Sequence, residues 1–229
     1  MGIDESSHQA PEDDDHSRAL REQMVRRQLR GRGIRDDRVL AAMQKVPRHP
    51  FVPGPLRTRS YDDSPLPIGH SQTISQPLMI ATMLEAMELQ GTERVLEVGA
   101  GCGYQAALLA ELAATVVTVE IIAELVDRAR HNLDRLGYQA VQVAHADGSC
   151  GYLPGAPYDA IVVAAAPDSV PPPLLEQLAP GGRLLIPVGS WVTQDLKRIR
   201  KDEDGTVHID RLGGCIFVPL VGEHGRRGP

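Results

Sequence analysis

The chain has 229 residues, enough for one sizeable core, and its 42% hydrophobic content with only 3% aromatics requires a core of Val, Leu, Ile and Ala, as in a buried parallel sheet covered by helices. The formal charge of −6 is local: Asp4, Glu5, Glu12, Asp13, Asp14 and Asp15 stand among the first 16 residues with no Lys or Arg, and the remaining 24 acidic residues match 24 basic ones, so the neutral body offers no electrostatic footprint for nucleic acid. The acidic start lacks the apolar stretch of a signal peptide, and no apolar run approaches the ~18 residues that span a bilayer.

In chain order, residues 1–17 read as a disordered acidic tail. From Arg18 to Met43 the apolar spacing is helical, with a break at Gly31 and Gly33. Pro47, Pro50, Pro53 and Pro55 forbid regular helix or central strand, and Pro65, Pro67 and Gly69 extend this irregular, functional-looking stretch. Gln76 to Leu89 reads as a helix with Pro77 in its first turn. Strands are then expected at Arg94–Val98, Thr115–Val119, Ala140–Ala144, Tyr158–Ala164 and Arg183–Val188. Helices are expected at Tyr104–Ala113, Ile122–Leu136 and Pro173–Leu178. This alternation predicts an α/β fold with a Rossmann-like, doubly wound, mostly parallel sheet. Leu196–Arg200, Val207–Leu212 and Cys215–Leu220 look like strands, with a hairpin signal at Asp204-Gly205, so antiparallel strands are expected at one edge. The resulting division is an N-terminal helical extension and substrate-lining segment over 18–90, a cofactor-binding domain over 91–222 and a tail over 223–229. The three cysteines, Cys102, Cys150 and Cys215, have no metal-ligand spacing, so no metal is expected, and a reducing, cytoplasmic compartment is the simple reading.

The strongest local signal is Val95-Leu96-Glu97-Val98-Gly99-Ala100-Gly101-Cys102-Gly103, an apolar strand running into a glycine loop that opens a helix. Such a loop lets a ligand approach bare backbone at helix-start amides. A dinucleotide site calls for G-x-G-x-x-G. Here the spacing is G-x-G-x-G after an acid, the form associated with S-adenosylmethionine, although an NAD site or a merely tight turn also fits the loop alone. Glu120 ends the next strand, about 20 residues on, where an acid can accept from both ribose hydroxyls; a helix-start acid is the plainer reading. Asp147-Gly148 follows the third strand, where Asp can accept from the adenine amine and Gly leaves room for the ring; a plain turn is the alternative. Cofactor contacts are therefore expected from Gly99, Ala100, Gly101, Gly103, Glu120, Asp147 and Gly148.

Val163-Ala164-Ala165-Ala166-Pro167 ends the fourth strand with no polar side chain to orient an amine, and no Pro-Cys dipeptide exists for cytosine chemistry. The run Asp63-Ser64-Pro65-Leu66-Pro67-Ile68-Gly69-His70-Ser71-Gln72-Thr73-Ile74-Ser75-Gln76-Pro77 resembles the signature ahead of the glycine loop in protein-L-isoaspartate O-methyltransferases. The glycine loop with Tyr104-Gln105-Ala106-Ala107, Ala146-Asp147-Gly148, Pro180-Gly181-Gly182-Arg183-Leu184 and Phe217-Val218-Pro219-Leu220 are similar too, so the resemblance covers roughly residues 20–222. Ala100 and Cys102 stand where that family more usually has Thr or Ser.

The resemblance implies methyl transfer from S-adenosyl-L-methionine to the free α-carboxyl of L-isoaspartyl residues in damaged proteins and peptides, leaving S-adenosyl-L-homocysteine. The ester then collapses to a succinimide that reopens partly to normal aspartate. It implies Ser75 as the active-site residue, with Gln72, Thr73 and Ile74 lining the space between cofactor and substrate. A carboxylate is ionised at neutral pH, so no general base is needed, and His70 is given no catalytic role. Ser75 can orient the carboxylate or simply cap the helix at Pro77. A monomer without nucleic-acid or membrane partners is expected. The alternatives are a same-fold methyltransferase acting on a small molecule or RNA, and a non-catalytic cofactor-binding module.

Overall fold

The computed structural model describes residues 13–226. Helix α1 spans Asp15–Gln23, with Asp14 at its N-cap accepting from the Ser17 amide at 2.7 Å. The helical path continues through Met24–Leu29 and Arg30–Arg32 and stops at Gly33, which is left-handed. Helix α2, Asp37–Lys45, restarts under the side-chain cap of Asp36. The sequence break at Gly31 and Gly33 is therefore where the chain turns.

The acidic start differs from a pure tail. Both Asp13 oxygens pair with the Arg21 guanidinium at 2.8 Å, and Arg21 is buried, with Tyr61 as a further acceptor at 3.4 Å. A buried cation needs a counter-charge, and Asp13 supplies it, so residues 13–17 belong to the fold. The rest of the predicted tail, residues 1–12, lies outside the described residues.

The proline-rich stretch forms short turns at His49–Phe51 and Gly54–Arg59. Beyond it the structure adds something unforeseen: an antiparallel hairpin of β1, Leu66–Gly69, and β2, Gln72–Ile74, turning through His70 and Ser71. Arg128 donates to the Ile68 carbonyl and holds the hairpin in place. Helix α3, Pro77–Ala86, follows.

The main sheet has seven strands: β3 Arg94–Val98, β4 Thr115–Glu120, β5 Gln142–His145, β6 Tyr158–Val163, β7 Leu178–Gly189, β8 Gln194–Lys201 and β9 Val207–Cys215. Helices α4 Tyr104–Ala110, α5 Ala123–Arg135 and α6 Pro172–Glu176 connect them. The order is β5-β4-β3-β6-β7-β8-β9, parallel from β5 to β7 and antiparallel from β7 to β9. The chain winds outward from β3 through β4 to β5, then returns to lay β6 on the other side of β3. This makes β3–β6 the topological switch point, where open α/β sheets hold ligands.

Side chains of the central strands alternate between two buried layers. Val95, Ala160, Val162 and Leu185 pack with Met24, Leu29, Met43, Tyr104 and Leu108. Leu96, Val98, Ile161 and Ile186 pack with Leu174, Tyr158 and Leu220. The first layer joins the N-terminal helices to the sheet, so segments 18–90 and 91–222 share one core.

The end also departs from expectation. Phe217–Leu220 is not a strand. The Gln194 side chain accepts from the Phe217 amide at 2.7 Å and donates to its carbonyl at 3.0 Å, and Pro219 has no N–H to offer a ladder. An isolated bridge, Ala166 to Pro219, also ties the run to the segment after β6. The expected tail over 223–229 begins within a strap, residues 221–226, that folds back, with Val221 bridged to Arg226. Its Glu223 amide donates to Asp147 Oδ2 at 2.7 Å and its His224 amide to Ser149 Oγ at 2.9 Å. Residues 227–229 lie outside the described residues. Among the described residues, no helix is long and apolar enough to cross a membrane.

The Asp13–Arg21 pair gives a direct test. Asp13 has 34% of its side chain exposed, so solvent screens part of the interaction. Asp13→Asn is expected to cost about 1 kcal/mol, lowering Tm by about 2–4 °C in calorimetry. Asp15→Asn, at a side chain 99% exposed, is expected to shift Tm by less than half as much.

Candidate active site

The site starts from strand register. Val98 of β3 lies level with Val119 of β4 and Val163 of β6, so the residues that follow emerge together at the switch point. Gly99 and Ala100 amides both donate to the Val119 carbonyl, at 2.8 and 3.1 Å. Gly99 leaves the strand with φ 96°, and a Cβ there would stand 3.5 Å from the Ala164 Cβ after β6. Gly101 and Gly103 continue the turn with positive φ into α4. Cys102 is buried, and burial pushes its thiol up to about 11, so it is no activated nucleophile.

Glu120 fastens this loop. Its Oε2 accepts from the Gly101 amide at 2.9 Å, and its Oε1 accepts from the Ile121 and Ile122 amides at 2.9 and 3.0 Å. The carboxylate thus ties the glycine turn to the start of α5. Of roughly four lone-pair sites, three are used, leaving capacity for a ribose hydroxyl.

Asp147 turns elsewhere. Its Oδ1 accepts from the Ser149 amide and hydroxyl at 2.9 and 2.7 Å, and its Oδ2 takes the Glu223 amide of the strap. Burial pushes this carboxyl up, but the Glu223 amide and the Ser149 donors outweigh it and hold it below the usual carboxylate range. Gly148 has a packing reason for being glycine: a Cβ would meet Val98 Cγ1 at 2.4 Å and Val119 Cγ2 at 3.0 Å. It faces the sheet, not the open space for a ring that the sequence suggested.

Two cavities meet at this edge. A small one of about 30 Å³ is lined by Glu97, Gly99, Ala100, Gly101, Gln105 and Ala164, with Ile74 also on its wall. A cleft of about 690 Å³ opens beside it, lined by Pro65, Met79, Gln194, Arg211, Ile216 and Phe217. Thr73, Ser75 and Ala164 line both and form the wall between them. Gln72 lines neither; its amide donates to the His70 carbonyl at 3.3 Å. Gly103, Glu120, Asp147 and Gly148 also line neither cavity.

Ser75 is not the helix cap. The α3 N-cap is Gln76, and Asp63 serves the helix start from 15 residues upstream, accepting from the Leu78 amide at 3.3 Å and the Gln76 side chain at 2.8 Å. The Ser75 hydroxyl makes no hydrogen bond among the described residues, so it is available to a ligand at the seam between the cavities.

Sequence reasoning used Glu97 only as the acid ahead of the glycine loop and gave neither it nor Gln105 a place among the site residues. Glu97 is fully buried in β3; its Oε2 accepts from the Thr118 hydroxyl at 2.6 Å, while Oε1 has no partner among the described residues. Burial pushes its carboxyl up to about 8, with the Thr118 hydrogen bond opposing and nearby Glu120 adding to the rise. The group is therefore mostly protonated at neutral pH. Gln105 Nε2 is likewise buried without a partner. An acid inside an otherwise apolar strand was the readable signal for Glu97. Gln194 and Arg211 come from the antiparallel edge and carry no local motif.

The sign of the Glu97 effect follows from its proton. Between the ordinary value of 4.5 and about 8 the folded chain holds a proton that the unfolded chain has released. This group therefore makes stability fall as pH rises through that window, by about 1.4 kcal/mol per pH unit. Denaturant titrations at several pH values are expected to show Glu97→Gln gaining on the parent as pH rises from 5 to 8. A constant difference would mean that the carboxyl is already ionised at pH 5.

A sequence model of the family described as protein-L-isoaspartate(D-aspartate) O-methyltransferase matches residues 19–225. The protein-L-isoaspartate O-methyltransferase of Methanoculleus marisnigri is 55% identical over 214 residues, covering 93% of this chain and 97% of that protein. A solved structure named protein-L-isoaspartate O-methyltransferase is similar with a TM-score of 0.79 at 29% identity, over 89% of this chain and 66% of that one. A Plasmodium falciparum structure described as a protein-L-isoaspartate O-methyltransferase in complex with S-adenosyl-L-homocysteine is similar with a TM-score of 0.76 at 28% identity, over 90% of this chain and 98% of that one. The chain belongs to the protein-L-isoaspartate(D-aspartate) O-methyltransferase family.

Proposed function

We propose that the wall formed by Thr73, Ser75 and Ala164 is where a methyl group passes from S-adenosyl-L-methionine to the free carboxyl of an L-isoaspartyl residue. Family membership carries the reaction: the chain is an S-adenosylmethionine-dependent methyltransferase that acts on isoaspartyl-containing proteins in protein repair. The observation that carries the placement is the unpartnered Ser75 hydroxyl between the two cavities.

The residues at the glycine loop suit the cofactor. Glu97 Oε1 and Gln105 Nε2 are buried polar atoms without partners on or beside the small cavity. Buried polar groups of this kind call for a ligand or water. The amino-acid end of S-adenosylmethionine offers an ammonium for Glu97 and a carboxylate for Gln105. Gly99, Ala100, Gly101 and Gly103 keep the approach to the backbone open, Glu120 takes a ribose hydroxyl and Asp147 the adenine amine. A cavity of about 30 Å³ is close to one water in size, so a nucleoside needs more room than the small cavity beside the hairpin offers.

The chemistry asks little of side chains. The cofactor supplies an electrophilic sulfonium methyl, the carboxylate oxygen forms the new O–C bond as the C–S bond breaks, and a neutral sulfide leaves. The nucleophile is already ionised, so the protein contributes alignment and exclusion of water. Ser75 donates to the attacking carboxylate and fixes its direction. The larger cleft, with exposed Trp191, Val192 and Ile216 on or near its rim, has the breadth for a peptide rather than a compact metabolite. The reading extends to a monomer in the cytoplasm without nucleic-acid or membrane partners; unpaired Cys102, Cys150 and Cys215 support the reducing compartment.

Labelled cofactor with matched peptides is expected to give methyl transfer to isoaspartate and none to aspartate. Ser75→Ala is expected to lower kcat on the order of 10²-fold with an unchanged Tm, because only the reacting complex uses the hydroxyl. Full turnover by Ser75→Ala would remove it from catalysis. Binding of S-adenosyl-L-homocysteine at pH 7 is expected to release a proton from Glu97, seen as a buffer-dependent heat in calorimetry that Glu97→Gln abolishes.

A further inference from the structure

We propose that Cys150, Glu223 and His224 form a site for a zinc-like divalent metal ion that fastens the C-terminal strap to the loop after β5. One ligand atom from each of the three lies within 4.8 Å of the other two. Cys150 Sγ stands 3.8 Å from Glu223 Oε2 and 3.8 Å from Asp147 Oδ2. Zinc–sulfur and zinc–oxygen bonds of about 2.3 and 2.0 Å place two tetrahedral ligands about 3.5 Å apart. The Cys150–Glu223 pair therefore needs a few tenths of an ångström of closure to hold an ion, and the His224 nitrogen stands within 4.8 Å of both.

The backbones that carry these ligands are already fastened together. Cys150 ends the short turn Gly148–Cys150, and Gln177, itself buried, donates to its carbonyl at 2.8 Å. The strap answers with its Glu223 amide on Asp147 and its His224 amide on Ser149. Arg226 anchors the far end, donating to the Gly189 carbonyl, pairing with Asp168 at 2.7 Å and lying 4.7 Å from the Trp191 ring centroid. A metal arriving here meets ligands whose main chain is largely preordered.

The ligand chemistry selects the ion. A thiolate, an imidazole and a carboxylate suit zinc, whereas calcium and magnesium take oxygen ligands. Three protein ligands leave a fourth position for water, with Asp147 close to the sulfur as a supporting carboxylate. Cys150 and Glu223 are 73 residues apart, so no spacing rule in the sequence could have found the set.

The location gives the site a consequence that rests on the adenine role proposed for Asp147. A metal that holds the strap closed keeps the Glu223 amide on Asp147, while the cofactor needs that carboxylate free. Metal and cofactor then oppose one another, each weakening the other by the same factor.

The test uses the full chain without a histidine tag, titrated with cobalt(II) and then with zinc(II). One equivalent of cobalt is expected to give a thiolate-to-metal charge-transfer band and the intense visible bands of four-coordination, both removed by zinc. Cys150→Ser is expected to abolish the charge-transfer band although Cys102 and Cys215 remain. His224→Ala and Glu223→Gln, at exposed side chains that leave the fold intact, are expected to weaken binding by about 100-fold. No band at saturating cobalt, or a band that survives Cys150→Ser, overturns the site. Saturating zinc is expected to raise the Kd for S-adenosyl-L-homocysteine. A Cys150-dependent band with an unmoved Kd supports the metal site and instead removes Asp147 from the adenine reading.

Discussion

The parallel pairing of β3 with β4 on one side and β6 on the other is the constraint on which the rest of the site depends. Because Val98, Val119 and Val163 share one level, Gly99, Glu120 and Ala164 leave the sheet as neighbours. The Val119 carbonyl can then take two amides of the glycine turn, and Glu120 can reach across to a third at Gly101. A slip of one residue in the β3–β4 pairing would turn every side chain of the slipped strand to the other face and break all three bonds at once. The apolar layers on both faces hold the register, so the core of the protein and the geometry of its edge are one problem.

Within that frame, a fully buried carboxyl in β3 works against the fold. Glu97 sits among Val95, Leu96 and Val98 with one hydrogen bond and one orphaned oxygen. Burying it is tolerable because it stays protonated, which removes the larger penalty of a buried charge. A residue that weakens the empty protein and gains a partner from a ligand fits a binding site better than a core. Stability and the binding role proposed for Glu97 pull in opposite directions at this position.

The sequence made the architecture readable where hydrophobic periodicity and glycine spacing are local. The alternation from β3 to β7, the break at Gly33 and the turn at Asp204-Gly205 all follow from neighbours in the chain. What escaped depends on partners far away. The β1–β2 hairpin hides in a proline-rich run because its strands are very short and one is held by Arg128, 60 residues on. Asp13 looks like one more acid of a tail until Arg21 is seen buried beneath it. Phe217–Leu220 has the composition of a strand, but Gln194 already occupies the backbone of Phe217. Asp147-Gly148 was legible as a turn at the right place, yet the strap that covers it carries no motif.

Ser75 shows how a distant residue decides what a nearby one can do. A serine just ahead of a proline-started helix would ordinarily bend its hydroxyl to the free amides of the first turn. Here Asp63, held by Arg32 and by Gln76, reaches that turn instead. The helix is thereby served from outside, and the Ser75 hydroxyl is left without a hydrogen bond among the described residues. Its neighbours Thr73 and Ala164 close the same wall without adding a charge or a base. An ionised acceptor and a sulfonium donor need only a shared direction and little water, and the role proposed for Ser75 asks of its hydroxyl, on the wall between the two cavities, that direction alone.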